Sequence, residues 1–175
     1  MTPTSPWAQR LLAADKHYSQ KLRYAEKPGP LRRLAIFLAH SGDSWFWGLG
    51  LVLVWAFGPP EWDTLSPRLL VSIAVLAILV FLVKRRFRRQ RPQGEWGALY
   101  RKTDPHSFPS GHAARMIMLL LVCAVWGPAW LAWLLLPWAP LVALARVAMG
   151  VHYLSDVIGG ALLGLLVALL LIAFW

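Results

Sequence analysis

Five long apolar runs decide what this sequence can fold into. They occupy residues 45–57, 69–83, 113–126, 129–145 and 157–175. A helix needs roughly 20 mostly apolar residues to cross a bilayer, and with 58% of the 175 residues hydrophobic, little chain remains for an aqueous catalytic domain. We therefore predict an all-α, polytopic transmembrane helix bundle of about five spans. In the last run, Gly160 and Gly164 favour close helix packing within one chain over a dimer contact.

The first 44 residues differ from the rest of the chain because they are polar and basic, unlike a cleavable signal peptide. After Ser5 and Pro6, apolar residues recur at helical spacing while arginines and lysines occupy the other faces. This pattern predicts an amphipathic helix, either on the membrane surface or solvated and packed on the protein. A second stretch, 31–40, is interpreted as an interfacial or re-entrant segment. We thus divide the chain into a basic interfacial segment, 1–44, and a transmembrane core, 45–175.

The positive charge of the chain is strongly one-sided. Eighteen Lys and Arg against eight Asp and Glu give a net charge of +10, which indicates an anionic partner. Too little chain lies outside the apolar runs for a nucleic-acid partner. Five spans would put 84–111 and 147–155 on the same side as the N-terminus, leaving only Arg68 in the opposite loops. The positive-inside rule then predicts a multi-pass cell-membrane protein with this face in the cytoplasm. An outward-facing site stays open as the alternative, because cations that bind an anionic substrate would bias the charge count.

The first of three polar clusters ends the second run. Lys84 is followed after six residues by Arg91 and Pro92, within a stretch rich in arginine. Taken alone, such a stretch is typical of membrane-flanking residues that reach lipid headgroups.

The second cluster, Pro109, Ser110, Gly111 and His112, opens the third run. At a helix N-terminus these residues would offer a hydroxyl, free backbone N–H groups and the positive end of the helix dipole. This combination suits an oxyanion.

The third cluster is Arg146, then His152 after five residues, then Asp156 after three more. On a helical stretch His152 and Asp156 would be one turn apart, so the carboxylate could accept a hydrogen bond from one ring nitrogen and leave the other as a nucleophile. A lone histidine near a membrane end is more often structural. Three such polar groups beside a bilayer are costly, however, and this favours a functional interpretation.

Taken together, the three clusters resemble the ordered motifs of the type 2 phosphatidic acid phosphatase superfamily, which includes bacterial lipid phosphatases and vanadium haloperoxidases. The resemblance covers about residues 84–156 and rests on motif order, internal spacing and placement at span ends. One departure is visible. The residue before Arg146 is usually serine in the family and is Ala145 here, which removes a hydroxyl expected near the phosphate.

The resemblance implies an integral-membrane lipid phosphatase. Its substrate would be a phosphomonoester or diphosphate, such as phosphatidic acid, phosphatidylglycerophosphate or a polyprenyl phosphate or diphosphate. His152, oriented by Asp156, would form a phosphohistidine, and His112 would act as general acid and then activate water. The implied substrate-binding residues are Lys84, Arg91, Pro92, Ser110, Gly111 and Arg146.

No cluster of His, Cys or carboxylates has metal-ligand spacing, so we expect a metal-independent hydrolase without a cofactor. Its partner would be a phosphorylated membrane lipid, and the oligomeric state is left open. One alternative is a non-enzymatic membrane protein whose basic face binds anionic lipid or a partner, but it does not explain the spacing of His152 and Asp156. Haloperoxidase chemistry with bound vanadate is disfavoured by so small and apolar a chain.

Four further polar residues receive structural interpretations. Arg115 is expected in a structural ion pair rather than on a lipid headgroup. Asp104 and His106 are expected to be solvated loop residues. For Asp43 we favour a helix cap over a role in closing the site.

Overall fold

The computed structural model describes residues 5–96 and 104–174. Seven α-helices lie within these ranges, and the only pairing of strand type there is an isolated bridge between Gln90 and His106. The predicted all-α class is confirmed. The helices are α1 (Pro6–Lys21), α2 (Pro30–Ser41), α3 (Ser44–Phe57), α4 (Trp62–Phe87), α5 (Gly111–Trp126), α6 (Ala129–Ala148) and α7 (Leu154–Phe174).

Helices α3 to α7 correspond to the five apolar runs. The largest difference is in α4, which begins seven residues before the predicted run because its first two turns contain polar residues such as Asp63. In the described chain, α4, α6 and α7 are long and apolar enough to cross a membrane, whereas α3 and α5 are shorter apolar helices. The count of five spans stays a prediction.

Helix α5 is the centre of the bundle. It packs most extensively against α7 and α6 and also contacts α4. Its side chains are buried on several faces, with Ala113, Met116, Leu119 and Val122 fully inaccessible. The N-terminus of α5 is therefore surrounded by the ends of other helices, and this is where the second polar cluster lies.

The outer surface of the bundle exposes far more large apolar side chains than a surface in contact with water usually does. Phe57 is 85% exposed, Trp133 73% and Ile78 60%, and many other large apolar side chains are similarly exposed. Contiguous apolar surface of this kind marks a membrane or interaction face. The pattern fits helices whose outward side chains contact lipid.

Helix α1 is attached to the bundle through polar contacts. Asp15 Oδ1 accepts a hydrogen bond from the Ser155 backbone N–H at 3.0 Å, and Ser19 Oγ accepts one from the Leu154 N–H at 2.8 Å. These are N–H groups at the start of α7, which lack partners within that helix. The apolar residues of α1 stay exposed: Trp7, Leu11, Leu12 and Tyr18.

Helix α2 is too short to cross a bilayer and packs along α6 instead. Its buried side, which includes Leu38 and Ala39, joins a small cluster with Ala145 and Met149 near the end of α6. The turn after α2, residues 42–43, is thereby brought against the start of α5, where it contacts His112 and Arg115. The boundary at residue 44 between an interfacial segment and a core stays a prediction.

Two glycines let α7 approach α5 at backbone distance. A Cβ on Gly160 would collide with the Ser110 carbonyl oxygen, and one on Gly164 with the Ala114 carbonyl oxygen. The expectation that this pair serves packing within the chain is confirmed. The contact fixes the start of α7 beside the start of α5.

We expect Gly164→Ala to destabilise the protein, because its new methyl group would meet the rigid backbone of α5. Overpacking of this kind typically costs about 1–3 kcal/mol, which should lower the Tm of the detergent-solubilised protein by at least about 3 °C. Gly50→Ala is the matched control, since a Cβ there meets nothing within 4 Å. Equal Tm values for the two variants would contradict the packing assignment.

Candidate active site

A cavity of about 550 Å³ lies near the C-terminal ends of α4 and α6 and the N-terminus of α5. Five of the nine site residues predicted from the sequence are on its wall, so the three motifs converge there. They are Lys84, Gly111, His112, Arg146 and His152, and the same wall also includes Ala77, Val80, Phe81, Arg85, Asp104, Pro105 and His106.

Arg91 joins the first motif to the third. It follows α4 and is 2% exposed. Its Nη1 donates a hydrogen bond to the Val151 carbonyl at 2.9 Å and lies 3.1 Å from His152 Nε2. Pro92 is buried next to it in the chain. A guanidinium held in this way is fixed in position before any anion binds.

The contact with Arg91 defines the protonation of His152. A guanidinium can only donate, so His152 Nε2 must be the accepting, unprotonated nitrogen and Nδ1 carries the proton. Burial lowers the pKa of His152 well below its usual range, and the charges of Arg91 and Arg146 lower it further. The imidazole is therefore neutral, with a lone pair on Nε2.

The predicted link between His152 and Asp156 needs a correction. His152 lies in the loop before α7, which begins at Leu154, so the two residues do not share a helical turn. Their closest atoms, Nδ1 and Oδ2, are 3.6 Å apart, longer than a hydrogen bond. Asp156 Oδ2 accepts a hydrogen bond from the Tyr153 N–H at 2.8 Å instead. The carboxylate still faces the protonated side of the ring.

Arg89 is a partner of Asp156 that sequence reasoning missed. Its Nη1 donates to Asp156 Oδ1 at 2.7 Å, and its Nη2 donates to Asp15 Oδ2 at 2.6 Å. It therefore connects helix α1 to the third motif. Within a run of arginines, nothing in the sequence distinguishes Arg89 from the exposed Arg88.

The second motif occupies the N-terminus of α5 as predicted. Ser110 is the N-cap residue, and its N–H donates to the Asp156 carbonyl at 2.9 Å. Its hydroxyl is buried and has no hydrogen-bond partner among the described residues. Gly111, the first residue of the helix, lines the cavity. A free hydroxyl and a helix N-terminus together form a site suited to an anion.

Asp104 is a partly exposed loop residue, but it has charged partners that were not expected from the sequence. Its Oδ2 is paired with Lys84 Nζ and accepts a hydrogen bond from Arg91 Nη2 at 2.7 Å. Burial would raise the pKa of Asp104, but the charges of Lys84 and Arg91 outweigh it and lower the pKa. An ionised carboxylate thus lies between two of the predicted phosphate-binding cations. His106, a half-buried loop residue, also lines the cavity.

Asp43 occupies the N-cap position of α3, but its side chain makes no capping hydrogen bond. The favoured interpretation as a cap is therefore wrong in its chemistry. Its Oδ1 lies 2.7 Å from His112 Nε2 and its Oδ2 lies 2.9 Å from His40 Nδ1. Burial would raise the pKa of Asp43, but the hydrogen bonds with His112 and His40 outweigh it and hold the pKa well below the usual range.

Two arginines on the helices have different surroundings. Arg146, 1% exposed in the last turn of α6, lines the cavity, and Ala145 before it is also buried. Arg115 donates from Nη1 to the Gly42 carbonyl. The observed partner is therefore a backbone carbonyl, not the carboxylate of the expected ion pair.

Comparison with known proteins defines the family. The model of the PAP2 superfamily matches residues 67–175, more than half of the chain. This chain belongs to the PAP2 superfamily. It is a membrane protein and a lipid phosphatase. The segment 1–66, which contains Asp15 and Asp43, lies outside the match.

Two relatives extend the PAP2 assignment. A Mycobacterium tuberculosis protein named decaprenylphosphoryl-5-phosphoribose phosphatase is 35% identical over 144 residues, which cover 79% of this chain and 77% of that protein. YbjG of Escherichia coli is 30% identical over 118 residues, 66% of this chain. The aligned part spans only 59% of the length of YbjG.

A solved PAP2 structure has the same architecture. The crystal structure of a transmembrane PAP2-type phosphatidylglycerolphosphate phosphatase from Bacillus subtilis superimposes with a TM-score of 0.77 at 25% sequence identity. The superposition covers 98% of this chain and 87% of that one. The similarity therefore includes the N-terminal helices that the family model leaves unmatched.

We expect Asp104→Asn to strengthen inhibition by inorganic phosphate. The carboxylate is paired with Lys84 and Arg91, two of the cations predicted to bind phosphate, so its removal should lower the Ki for phosphate. Because Asp104 is 42% exposed in its side chain, we expect a modest change of about 3- to 10-fold.

Asp63→Asn is the control, because it removes the same charge from an exposed position at the opposite end of α4. The measurement is the Ki of phosphate for both variants and the parent. A Ki for Asp104→Asn that is unchanged or higher would mean that the carboxylate organises the cations rather than competing with the anion.

Proposed function

We propose that this PAP2 protein hydrolyses a lipid phosphomonoester or diphosphate through a phosphohistidine on His152. The observation that carries the proposal is the buried, neutral His152 with Nε2 3.1 Å from Arg91 Nη1. The nucleophilic atom and a phosphate-binding cation are thus already in contact. An anion that binds Arg91 would be held next to this nitrogen.

The phosphate would bind among Lys84, Arg91 and Arg146, with the Ser110 hydroxyl and the Gly111 N–H as further donors. Each of the three cations is at least nine-tenths buried, so water screens their charges weakly. The buried Ser110 hydroxyl supports this role because a phosphate oxygen would supply a partner. Fixed charge around the equatorial oxygens is where most of the rate acceleration should arise.

In the first step, His152 Nε2 would attack phosphorus while the bond from phosphorus to the leaving oxygen breaks. His112 would give its proton to that oxygen, which leaves as a lipid alcohol or, from a diphosphate, as a lipid monophosphate. Asp156 would stabilise the positive charge that develops on the His152 ring. In the second step, water would lose a proton to His112, attack the phosphohistidine and release inorganic phosphate.

We propose that this chemistry needs no bound metal ion. Lys84, Arg91 and Arg146 would supply the positive charge that a metal supplies in other phosphatases. The described residues contain no group of three or more His, Cys, Asp or Glu side chains arranged to hold a metal. Asp104, the acidic residue among these cations, is already paired with two of them, Lys84 and Arg91.

The cavity supports a substrate whose tail stays in the bilayer. One side of it is polar, and the other is formed by Ala77, Val80 and Phe81 of α4, with Phe81 itself 55% exposed on the outer surface. The solved Bacillus relative is named for phosphatidylglycerolphosphate and the mycobacterial relative for a decaprenyl lipid. We propose a substrate from among phosphatidic acid, phosphatidylglycerophosphate and polyprenyl phosphates or diphosphates.

We further propose that the site faces the cytoplasm from a multi-pass protein of the cell membrane. The support is the excess of Lys and Arg in 1–44 and 84–111 over the opposite loops. Helix α1 would lie in the interface on this side. Its attachment through Asp15 and Ser19, with Trp7 and Leu11 exposed, suits an interfacial helix. We propose that it belongs to a basic interfacial segment, 1–44, which precedes a transmembrane core, 45–175.

The test is a panel of these lipid phosphates assayed with purified parent and His152→Ala. We expect the parent to release phosphate from at least one of them, and His152→Ala to be slower by about 10³-fold or more because the nucleophile is lost. The control is His17→Ala, which removes an exposed histidine of α1 and should retain activity. Equal rates for His152→Ala and the parent would disprove the assignment of the nucleophile.

A further inference from the structure

One carboxylate outside the family match touches the predicted general acid. Asp43 lies in the turn between α2 and α3, and its Oδ1 is 2.7 Å from His112 Nε2. The PAP2 model matches only residues 67–175, so none of the three motifs includes Asp43. His112 thus has a carboxylate at hydrogen-bond distance, whereas the carboxylate of Asp156 lies 3.6 Å from His152.

The side chain of Asp43 makes its contacts with His112 and neighbouring side chains and does not cap α3. Its other oxygen, Oδ2, interacts with His40 Nδ1 at 2.9 Å and accepts a hydrogen bond from Trp45 Nε1 at 3.2 Å. Asp43 is 19% exposed in its side chain and His112 is 16% exposed. A contact so protected from water is stronger than a surface pair.

The turn that carries Asp43 is held firmly against the bundle. Arg115 on α5 donates to the Gly42 carbonyl, and Trp47 Nε1 donates to the Ser41 carbonyl at 2.9 Å. A Cβ on Gly42 would lie 2.7 Å from Val142 Cγ1 of α6 and 3.1 Å from the His112 ring. Only a residue without a side chain lets the turn approach so closely, and this approach brings the carboxylate to His112.

We propose that Asp43 is a positioning residue for His112, on which the proton transfers of the proposed phosphatase reaction depend. A carboxylate accepts hydrogen bonds only, so it keeps a proton on His112 Nε2 and leaves Nδ1 as the nitrogen that exchanges a proton with the substrate. The inference rests on the proposed function, in which His112 protonates the leaving oxygen.

The negative charge of Asp43 also stabilises the protonated ring. His112 is surrounded by positive groups, Arg115 on its own helix and Arg146 on α6, and Asp43 additionally faces His40 on α2. Without the carboxylate, the two arginines would disfavour the imidazolium that must give up its proton. In the reaction, the Nδ1 proton moves to the leaving oxygen as the bond to phosphorus breaks, and water later returns a proton to Nδ1.

The experiment compares two phosphate monoesters that each have a dodecyl tail. In the first, dodecyl phosphate, the leaving group is an alkoxide; in the second, a dodecyl-substituted nitrophenyl phosphate, it is a nitrophenolate. The alkoxide leaving group needs a proton, whereas nitrophenolate leaves without one. For Asp43→Asn we expect kcat/KM to fall about 10- to 100-fold with the alkyl phosphate and to stay within about threefold with the nitrophenyl phosphate. His112→Gln is the reference and should give the same selective loss.

The nitrophenyl ester also reports whether Asp43→Asn is folded, so a damaged fold cannot imitate the expected result. His40→Gln is the matched control, because it removes the other histidine partner of Asp43 and should change neither rate by more than about threefold. An equal loss with both esters, or no loss with either, would overturn the role of Asp43. If His112→Gln shows the selective loss and Asp43→Asn does not, only this inference fails. A parent enzyme that cleaves neither ester would instead overturn the proposed function.

Discussion

The close contact between α5 and α7 is the constraint on which the site depends. Gly160 and Gly164 let the backbones of the two helices come into contact. At the N-terminal ends of the same helices, the Ser110 N–H donates a hydrogen bond to the Asp156 carbonyl. Residues that are 46 positions apart in the sequence, and belong to different motifs, therefore share one hydrogen bond. The remaining motif is joined through Arg91, which reaches the backbone and side chain of the loop before α7. Small residues in a membrane helix thus set the distance between the polar groups of the proposed site.

Burial of positive charge is the second physical feature of the molecule. Lys84, Arg91 and Arg146 are nearly inaccessible to solvent, and charges removed from water are costly unless they are paired and hydrogen bonded. Asp104 compensates two of them, and the Val151 carbonyl binds one. A dianionic phosphate would complete this compensation. The same burial keeps His152 neutral, so one environment would both attract the anion and prepare the proposed nucleophile.

Local patterns in the sequence predicted much of this structure, whereas contacts between distant segments were missed. The apolar runs located helices α3 to α7, and the motif spacing identified residues that meet in one cavity, because both depend on neighbours along the chain. Asp43 was interpreted as a cap and Asp104 as a solvated loop residue, and Arg89 was not distinguished from the other arginines of the membrane-flanking stretch. Each has its decisive partner elsewhere in the sequence: His112, Asp15 and Lys84. The assumed helical turn from His152 to Asp156 was wrong because α7 begins only at Leu154.

The central claim is that His152 carries the phosphoryl group during turnover without a metal ion. The most direct measurement is to mix purified protein with a lipid phosphate in EDTA, quench in base and analyse the peptides by mass spectrometry. We expect an acid-labile phosphoryl group on the peptide that contains His152, and we expect it to be absent in His152→Ala. Phosphate release without any phosphorylated histidine, or only after Mg²⁺ is added, would contradict it.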